Sequence, residues 1–185
     1  MKVKLIPVLM LSLTPMLAHA GFADDLNKAT GSNLGNKVEA QAKSSAKAAG
    51  NKQLAAQVNK KLLSEGRKNQ CSFKSGSDEL APGCGAKSKK LAGIIIEVKK
   101  TLQSQGQTGF KFTVSGHTDS SGDAAKNKEL SARRAQVMVK ELVAQGVSAE
   151  DIESVGMGSE KPLIKKDDTP AKKAKNRRYE VQVHF

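Results

Sequence analysis

The stretch Gly116-His117-Thr118-Asp119-Ser120-Ser121-Gly122 sets a carboxylate and an imidazole in a tight polar loop, between a predicted strand and a predicted helix. Crevices of this kind are where α/β sheets tend to hold ligands. Acid–base catalysis would need a partner nucleophile or a water site, and no Ser or Cys signature supplies one. Zinc would need three or four suitably spaced ligands; outside the leader the only other histidine is His184. No metal and no cofactor are therefore expected. Charge recognition is the remaining chemistry, and the following helix carries its second half. Wound at about 100° per residue, Leu130, Ala135, Val137, Met138, Val139 and Leu142 form an apolar arc. Arg133 falls outside it, with Lys126, Glu129, Gln136 and Lys140. Arg134 falls inside, with Asn127 two turns earlier on nearly the same line. An arginine facing inward must be paired, because an uncompensated buried charge is costly. Two arrangements satisfy this. Asp119 and Arg134 form a buried salt bridge that pins loop to helix, or they are held apart so that each meets an opposite charge on a ligand.

The elements that position these residues follow from periodicity. Asn69 to Phe73 is a strand candidate, and a polar loop follows from Lys74 to Asp78. Pro82 precedes a helix burying Leu91, Ile94, Ile95, Val98 and Leu102. Phe110 to Val114 alternates apolar and polar residues, as a half-buried strand does. The second helix runs from about Ala124 to Gln145 and ends at Gly146. Ile152 to Met157 is a short strand. Lys161 to Arg178 is a long basic loop with eight basic and two acidic residues. Tyr179 to Phe185 alternates again and forms a strand. The order β-α-β-α-β-loop-β predicts an α+β fold, a two-layer sandwich with helices on one face of a mixed sheet.

Upstream, residues 1–20 read as a cleaved secretory signal peptide: Lys2 and Lys4, an apolar run from Leu5 to Leu17, then Ala18-His19-Ala20. That run is shorter than the roughly 20 residues that span a bilayer. No Cys follows the cleavage site, so no lipid anchor is expected. Residues 21–66 form a helical or partly disordered segment. Leu34, Val38, Ala42 and Ala46 make one narrow stripe, and Leu54, Val58 and Leu62 another, with Gly50-Asn51 as a helix end or hinge between them. The segment has too little apolar surface for a core of its own. It is expected to pack on the C-terminal domain, on a second copy, or on an envelope protein.

The formal charge is +13, with Lys2 and Lys4 in the leader. Secretion excludes nucleic acid as the partner, and with no Trp and one Tyr there is little platform for stacking bases. A carboxylate-rich polymer is a suitable neighbour. Cys71 and Cys84 are the only cysteines; an even count in a secreted chain predicts a structural disulfide. Nothing in the sequence repeats as the ten-residue strands of an outer-membrane barrel would.

Residues 67–185 resemble the OmpA-like family. The motifs that carry the resemblance are Phe73-x-Ser75-Gly76-Ser77-x-x-Leu80, Gly116-His117-Thr118-Asp119, Gly122, Asn127-x-x-Leu130-Ser131-x-x-Arg134-Ala135, Gly156-Met157-Gly158 with Pro162, and Asn176-Arg177-Arg178. The resemblance implies a β-α-β-α-β-β sandwich in the periplasm, at the cell wall or outer membrane, with no enzymatic activity. It also implies non-covalent binding of peptidoglycan through the zwitterionic end of meso-diaminopimelate in the stem peptide. Asp119 would take the ammonium and Arg134 a carboxylate. Asn127 would support the peptide or hold the loop, Thr118 and the backbone around 75–77 would line the cleft, and Arg178 would add a wall contact. Three features depart from the pattern: Lys74 stands where many members carry an acid, Tyr179 replaces an aliphatic residue, and the cysteine pair is not general. An adaptor is the alternative reading, with residues 21–66 binding an envelope complex and the C-terminal domain serving as its wall tether.

Overall fold

In a computed structural model that describes residues 28, 33–74 and 76–185, the chain divides into two compact units, residues 1–50 and 51–185. The expected signal peptide (1–20) and the side chains of the Leu34-Val38-Ala42-Ala46 stripe lie outside the described part. Helix α1 spans Leu34–Lys68 without a break at Gly50-Asn51, so the expected hinge is not a helix end. A glycine inside a helix costs about 1 kcal/mol relative to alanine, and the Ala, Lys and Gln residues around it are strong helix formers that offset this. Gly50 does mark the boundary between the two units.

The unit 51–185 is built from the second half of α1, helix α2 (Cys84–Ser104), strand β1 (Lys111–His117), helix α3 (Ala124–Ala144), a single 3-10 turn (Ala149–Asp151), strand β2 (Ile152–Gly158), helix α4 (Pro170–Asn176) and strand β3 (Tyr179–His184). The strands form a mixed sheet in the order β2-β1-β3, with β1 parallel to β2 and antiparallel to β3. This is the α+β fold expected, with one strand fewer. Asn69–Phe73 does not join the sheet; it contributes a lone bridge, Phe73 to Leu80. The reason lies in the side chains. The Gln70 amide donates to the Tyr179 carbonyl at 2.7 Å and accepts from the Tyr179 N–H at 3.2 Å, which takes the place of a strand ladder. Asn59 of α1 does the same for Val183, donating to its carbonyl at 3.1 Å and accepting from its N–H at 2.7 Å. Two amide side chains thus cover the edge of β3, where an open strand edge would invite pairing with another chain.

The core forms where α2, α3 and the end of α1 meet the sheet. Leu62, Leu91, Leu102, Phe112, Met138 and Val181 are fully buried, each worth roughly 1.5–3 kcal/mol. Leu54 and Val58 pack against this cluster, so the second α1 stripe is satisfied within the unit 51–185. Cys71 and Cys84 are joined, with Cα atoms 5.1 Å apart, and tie the segment after α1 to the first turn of α2.

Two glycines set the height of α3 above the sheet. A Cβ on Gly116 would lie 2.2 Å from the Ser131 carbonyl oxygen, and one on Gly156 would lie 2.6 Å from Ala132 N and Lys128 O. Helix and strands are therefore in backbone contact. Ser131 completes the join: its hydroxyl donates to Lys128 O and accepts the Gly158 N–H, both at 2.8 Å. The basic loop is also more ordered than its composition suggests. Thr169 caps α4 through the Lys172 N–H, and Pro170 occupies its first turn, the signals of a helix start.

Candidate functional site

The site lies at the C-terminal end of β1. Because β2 is parallel to β1 and β3 antiparallel, the loop leaving β1 emerges beside the end of β2 and the beginning of β3. A register shift after Gly116 pairs His117 with Gly158, and the Thr118 N–H donates to the Gly158 carbonyl at 2.9 Å. On the other side the His117 N–H donates to the Arg178 carbonyl at 2.8 Å. Thr118-Asp119 and Arg177-Arg178 are thereby brought side by side although they are far apart in sequence. Asp123 starts α3 by accepting the Lys126 N–H at 2.9 Å.

Around this point opens a cleft of about 910 Å³, lined by residues that include Phe73, Thr118, Asp119, Asn127, Arg134 and Arg177. Arg134 is buried, 9% exposed, while Arg133 faces outward and pairs with Glu129 at 2.8 Å. The helical spacing predicts this division. Asp119 and Arg134 do not form a salt bridge, so the first of the two arrangements open at the sequence level is not the one adopted. Arg134 Nε donates to the Ser77 carbonyl at 2.9 Å, and its guanidinium lies 5.0 Å from the centre of the Phe73 ring. A carbonyl and an aromatic face steady the cation, and no carboxylate among the described residues lies within ion-pair distance of it. Burial, followed by the nearby Arg177 charge, presses its pKa below the ordinary arginine value.

Asp119 instead accepts from Arg177 Nη1 at 2.7 Å through one oxygen and from the Ser121 N–H at 3.0 Å through the other. Burial acts to raise its pKa; the hydrogen bonds from Arg177 and Ser121 overcome that and leave the carboxyl below its ordinary value. Asn127 donates to the Ser121 carbonyl at 2.8 Å and so braces the same loop. Arg178 is 7% exposed at its side chain, paired with Glu180 at 2.7 Å and hydrogen-bonded to the Asn176 and Lys161 carbonyls. Arg178 lines the cleft while these three groups hold its side chain in place. His117 is neutral at physiological pH: burial first, and the Arg178 charge second, lower its pKa to about 4. Two buried polar atoms of cleft-lining residues, His117 Nδ1 and Thr118 Oγ1, have no hydrogen-bond partner among the described residues. They suit a ligand's polar group or ordered water.

Sequence reasoning missed two members. Arg177 was visible only as part of Asn176-Arg177-Arg178. The other is Asp167, which accepts from the Ser120 N–H at 3.0 Å, from the Ser120 hydroxyl and from Asn176 Nδ2 at 2.9 Å. The Ser120 and Asn176 bonds hold its pKa at about 2. This carboxylate ties the Asp119 loop to the basic segment that carries Arg177. Among the described residues no three or more His, Cys, Asp or Glu gather as a metal site, and no helix is long and apolar enough to cross a membrane.

Comparison with known proteins accords with this architecture. The chain is 43% identical over 74 residues to the peptidoglycan-binding protein ArfA of Mycobacterium tuberculosis, an alignment covering 40% of this chain and 22% of ArfA. It is 32% identical over 115 residues to the probable lipoprotein YiaD of Escherichia coli, covering 62% and 48% of the two chains. With the peptidoglycan-associated lipoprotein of Pseudomonas aeruginosa it shares 37% identity over 83 residues, covering 45% and 47%. The chain thus spans less than half the length of each of these relatives. Its fold superposes on the C-terminal domain of Helicobacter pylori MotB with a TM-score of 0.52 at 22% identity, covering 63% of this chain and 84% of that one. A putative MotB-like protein from Desulfovibrio vulgaris gives 0.52 at 19% identity, covering 71% and 91%. At these identities the likeness shows the fold alone. The OmpA family itself matches residues 72–177, spanning the cleft from Phe73 to Arg177, and the chain belongs to that family.

Proposed function

We propose that this protein binds peptidoglycan non-covalently, through the free zwitterionic end of meso-diaminopimelate in the stem peptide, and so anchors or stabilises the cell envelope from the periplasm. The observation that carries the reading is a buried arginine, Arg134, with no carboxylate within ion-pair distance among the described residues, in the same cleft as a carboxylate held by an exposed cation. A ligand bearing both charges fits this arrangement. Its ammonium goes to Asp119. Its carboxylate goes to Arg134, whose planar guanidinium offers parallel donors. Thr118 lines the cleft, and Asn127 holds the loop. The names of ArfA and of the peptidoglycan-associated lipoprotein support the polymer as target. The relatives reported above are named as binding proteins or lipoproteins, and binding without chemistry is the role assigned here.

The test is calorimetric titration of the full chain with stem peptides that carry diaminopimelate or lysine at the third position. Lysine lacks the terminal carboxylate, so the reading predicts at least tenfold weaker binding, the range expected when a charged hydrogen bond is lost. Equal affinity would remove Arg134 from the mechanism.

The adaptor arrangement is the second reading. It is favoured by the N-terminal part of α1, where every described side chain from Asn36 to Gly50 is exposed. A pull-down with residues 21–66 should enrich envelope proteins, and an empty pull-down counts against it.

A further inference from the structure

Arg177 sits where the ligand's ammonium is expected, on Asp119. Its position in the fold makes it displaceable. The backbone is anchored at the end of α4, its N–H donating to Lys173 O at 3.0 Å. The side chain is 46% exposed, and among the described residues its one hydrogen-bonded partner is Asp119. Arg178, by contrast, is held by three groups. An exposed single ion pair is weak and readily exchanged. Asp119 accepts Arg177 on one oxygen and the Ser121 N–H on the other, so an incoming ammonium competes with the guanidinium for the carboxylate charge.

Displacement changes the balance of the cleft. Asp119 is the only carboxylate among the described residues lining it, against a wall that includes Arg67, Arg134, Lys175 and Arg177. Among these, Arg67, Arg134 and Lys175 have no carboxylate within ion-pair distance in the described structure; at Arg134 the Arg177 charge acts unfavourably, and the more distant Asp78 and Asp119 charges act favourably. A simple amine that took Asp119 would release Arg177 into a cleft where Arg67, Arg134 and Lys175 already lack a close carboxylate. A ligand that carries a carboxylate beside its ammonium brings a negative charge into the cleft with the amine, between Arg134 and the released guanidinium.

We infer that Arg177 is the specificity-determining residue of this cleft: it occupies Asp119 in the empty site and yields it only to a ligand that presents carboxylate and ammonium together. The inference deepens the wall-binding reading and rests on it. Ligands lacking the acid groups are rejected by competition from within the protein, without any steric barrier.

The test uses the full chain, wild type and Arg177→Gln and Arg177→Lys variants. It is titrated with meso-diaminopimelate and with cadaverine, which is the same diamine chain without its two carboxylates. Arg177→Gln should bind cadaverine about two- to fivefold more tightly than wild type, the fold-change an exposed ion pair is worth. Its preference for diaminopimelate should shrink accordingly, and Arg177→Lys should keep the wild-type preference. Unchanged or weaker cadaverine binding by Arg177→Gln would overturn the inference. Arginine side-chain NMR separates the two levels of failure. If diaminopimelate perturbs the Arg134 Nε–H while Arg177 stays bonded to Asp119, the exchange is wrong and the wall-binding reading stands. If it perturbs neither arginine, the wall-binding reading fails and the exchange falls with it.

Discussion

Arg134 combines burial with the absence of an acid partner, and its identity should matter beyond its charge. Lysine at this position keeps the cation but loses the flat contact with Phe73 and the fixed hydrogen bond to Ser77 O. Arg134→Lys is expected to weaken peptidoglycan binding about tenfold or more, with a thermal unfolding midpoint close to wild type; retained affinity would show that a point charge suffices. His117 yields a pH prediction. Its pKa in the folded chain is about 4, against an ordinary 6.5, so below pH 6.5 the unfolded chain binds a proton that the native state refuses. Stability should fall as pH drops from 6.5 to 4, with no further loss from this group below that. Asp167 acts in a lower window. Its folded pKa of about 2 lies under the ordinary 3.8, so its contribution is present above 3.8 and lost as pH falls through 2. Urea midpoints measured across both windows check this. His117→Asn should flatten the upper slope and Asp167→Asn the lower.

The contact between α3 and the sheet aims Arg134. Gly156→Ala would drive a methyl against the backbone of α3 and should cost at least 1–3 kcal/mol of stability, measured by urea unfolding; a cost under 0.5 kcal/mol would mean that the helix can lift freely. Reduction of the Cys71–Cys84 bond should cost about 3 kcal/mol by the chain-entropy argument, since it frees the segment that carries Phe73 toward the arginine. The elements that sequence periodicity placed well, α2, α3, β1 and β3, each bury one continuous apolar face. Asn69–Phe73 misled because its alternation is real but its pairing is made by the Gln70 amide, which no pattern of hydrophobicity encodes. The helix at Pro170–Asn176 was hidden by its charge, although Thr169-Pro170 signalled a start. At Gly50-Asn51 a local breaker signal was overridden by the helix formers on either side.

At the scale of the whole molecule, the positive charge is spread widely, but the proposed recognition depends on a few groups. Binding to the wall should therefore weaken only moderately with salt, because buried pairs are screened less than surface charges. The polar loop picked out Asp119 and the helical wheel picked out Arg134, because each position is a local fact of loop or helix. The engagement of Asp119 by Arg177 could not be read in the same way. It is created by antiparallel β3 returning beside β1, and the topology alone brings the two residues together.

The most direct test of the two-charge cleft is sedimentation of the full chain with purified peptidoglycan, for wild type, Asp119→Ala and Arg134→Ala, with free diaminopimelate as competitor. Wild type should pellet and be released by diaminopimelate, while both variants stay in the supernatant with native circular dichroism. Folded variants that still pellet like wild type would contradict the mechanism.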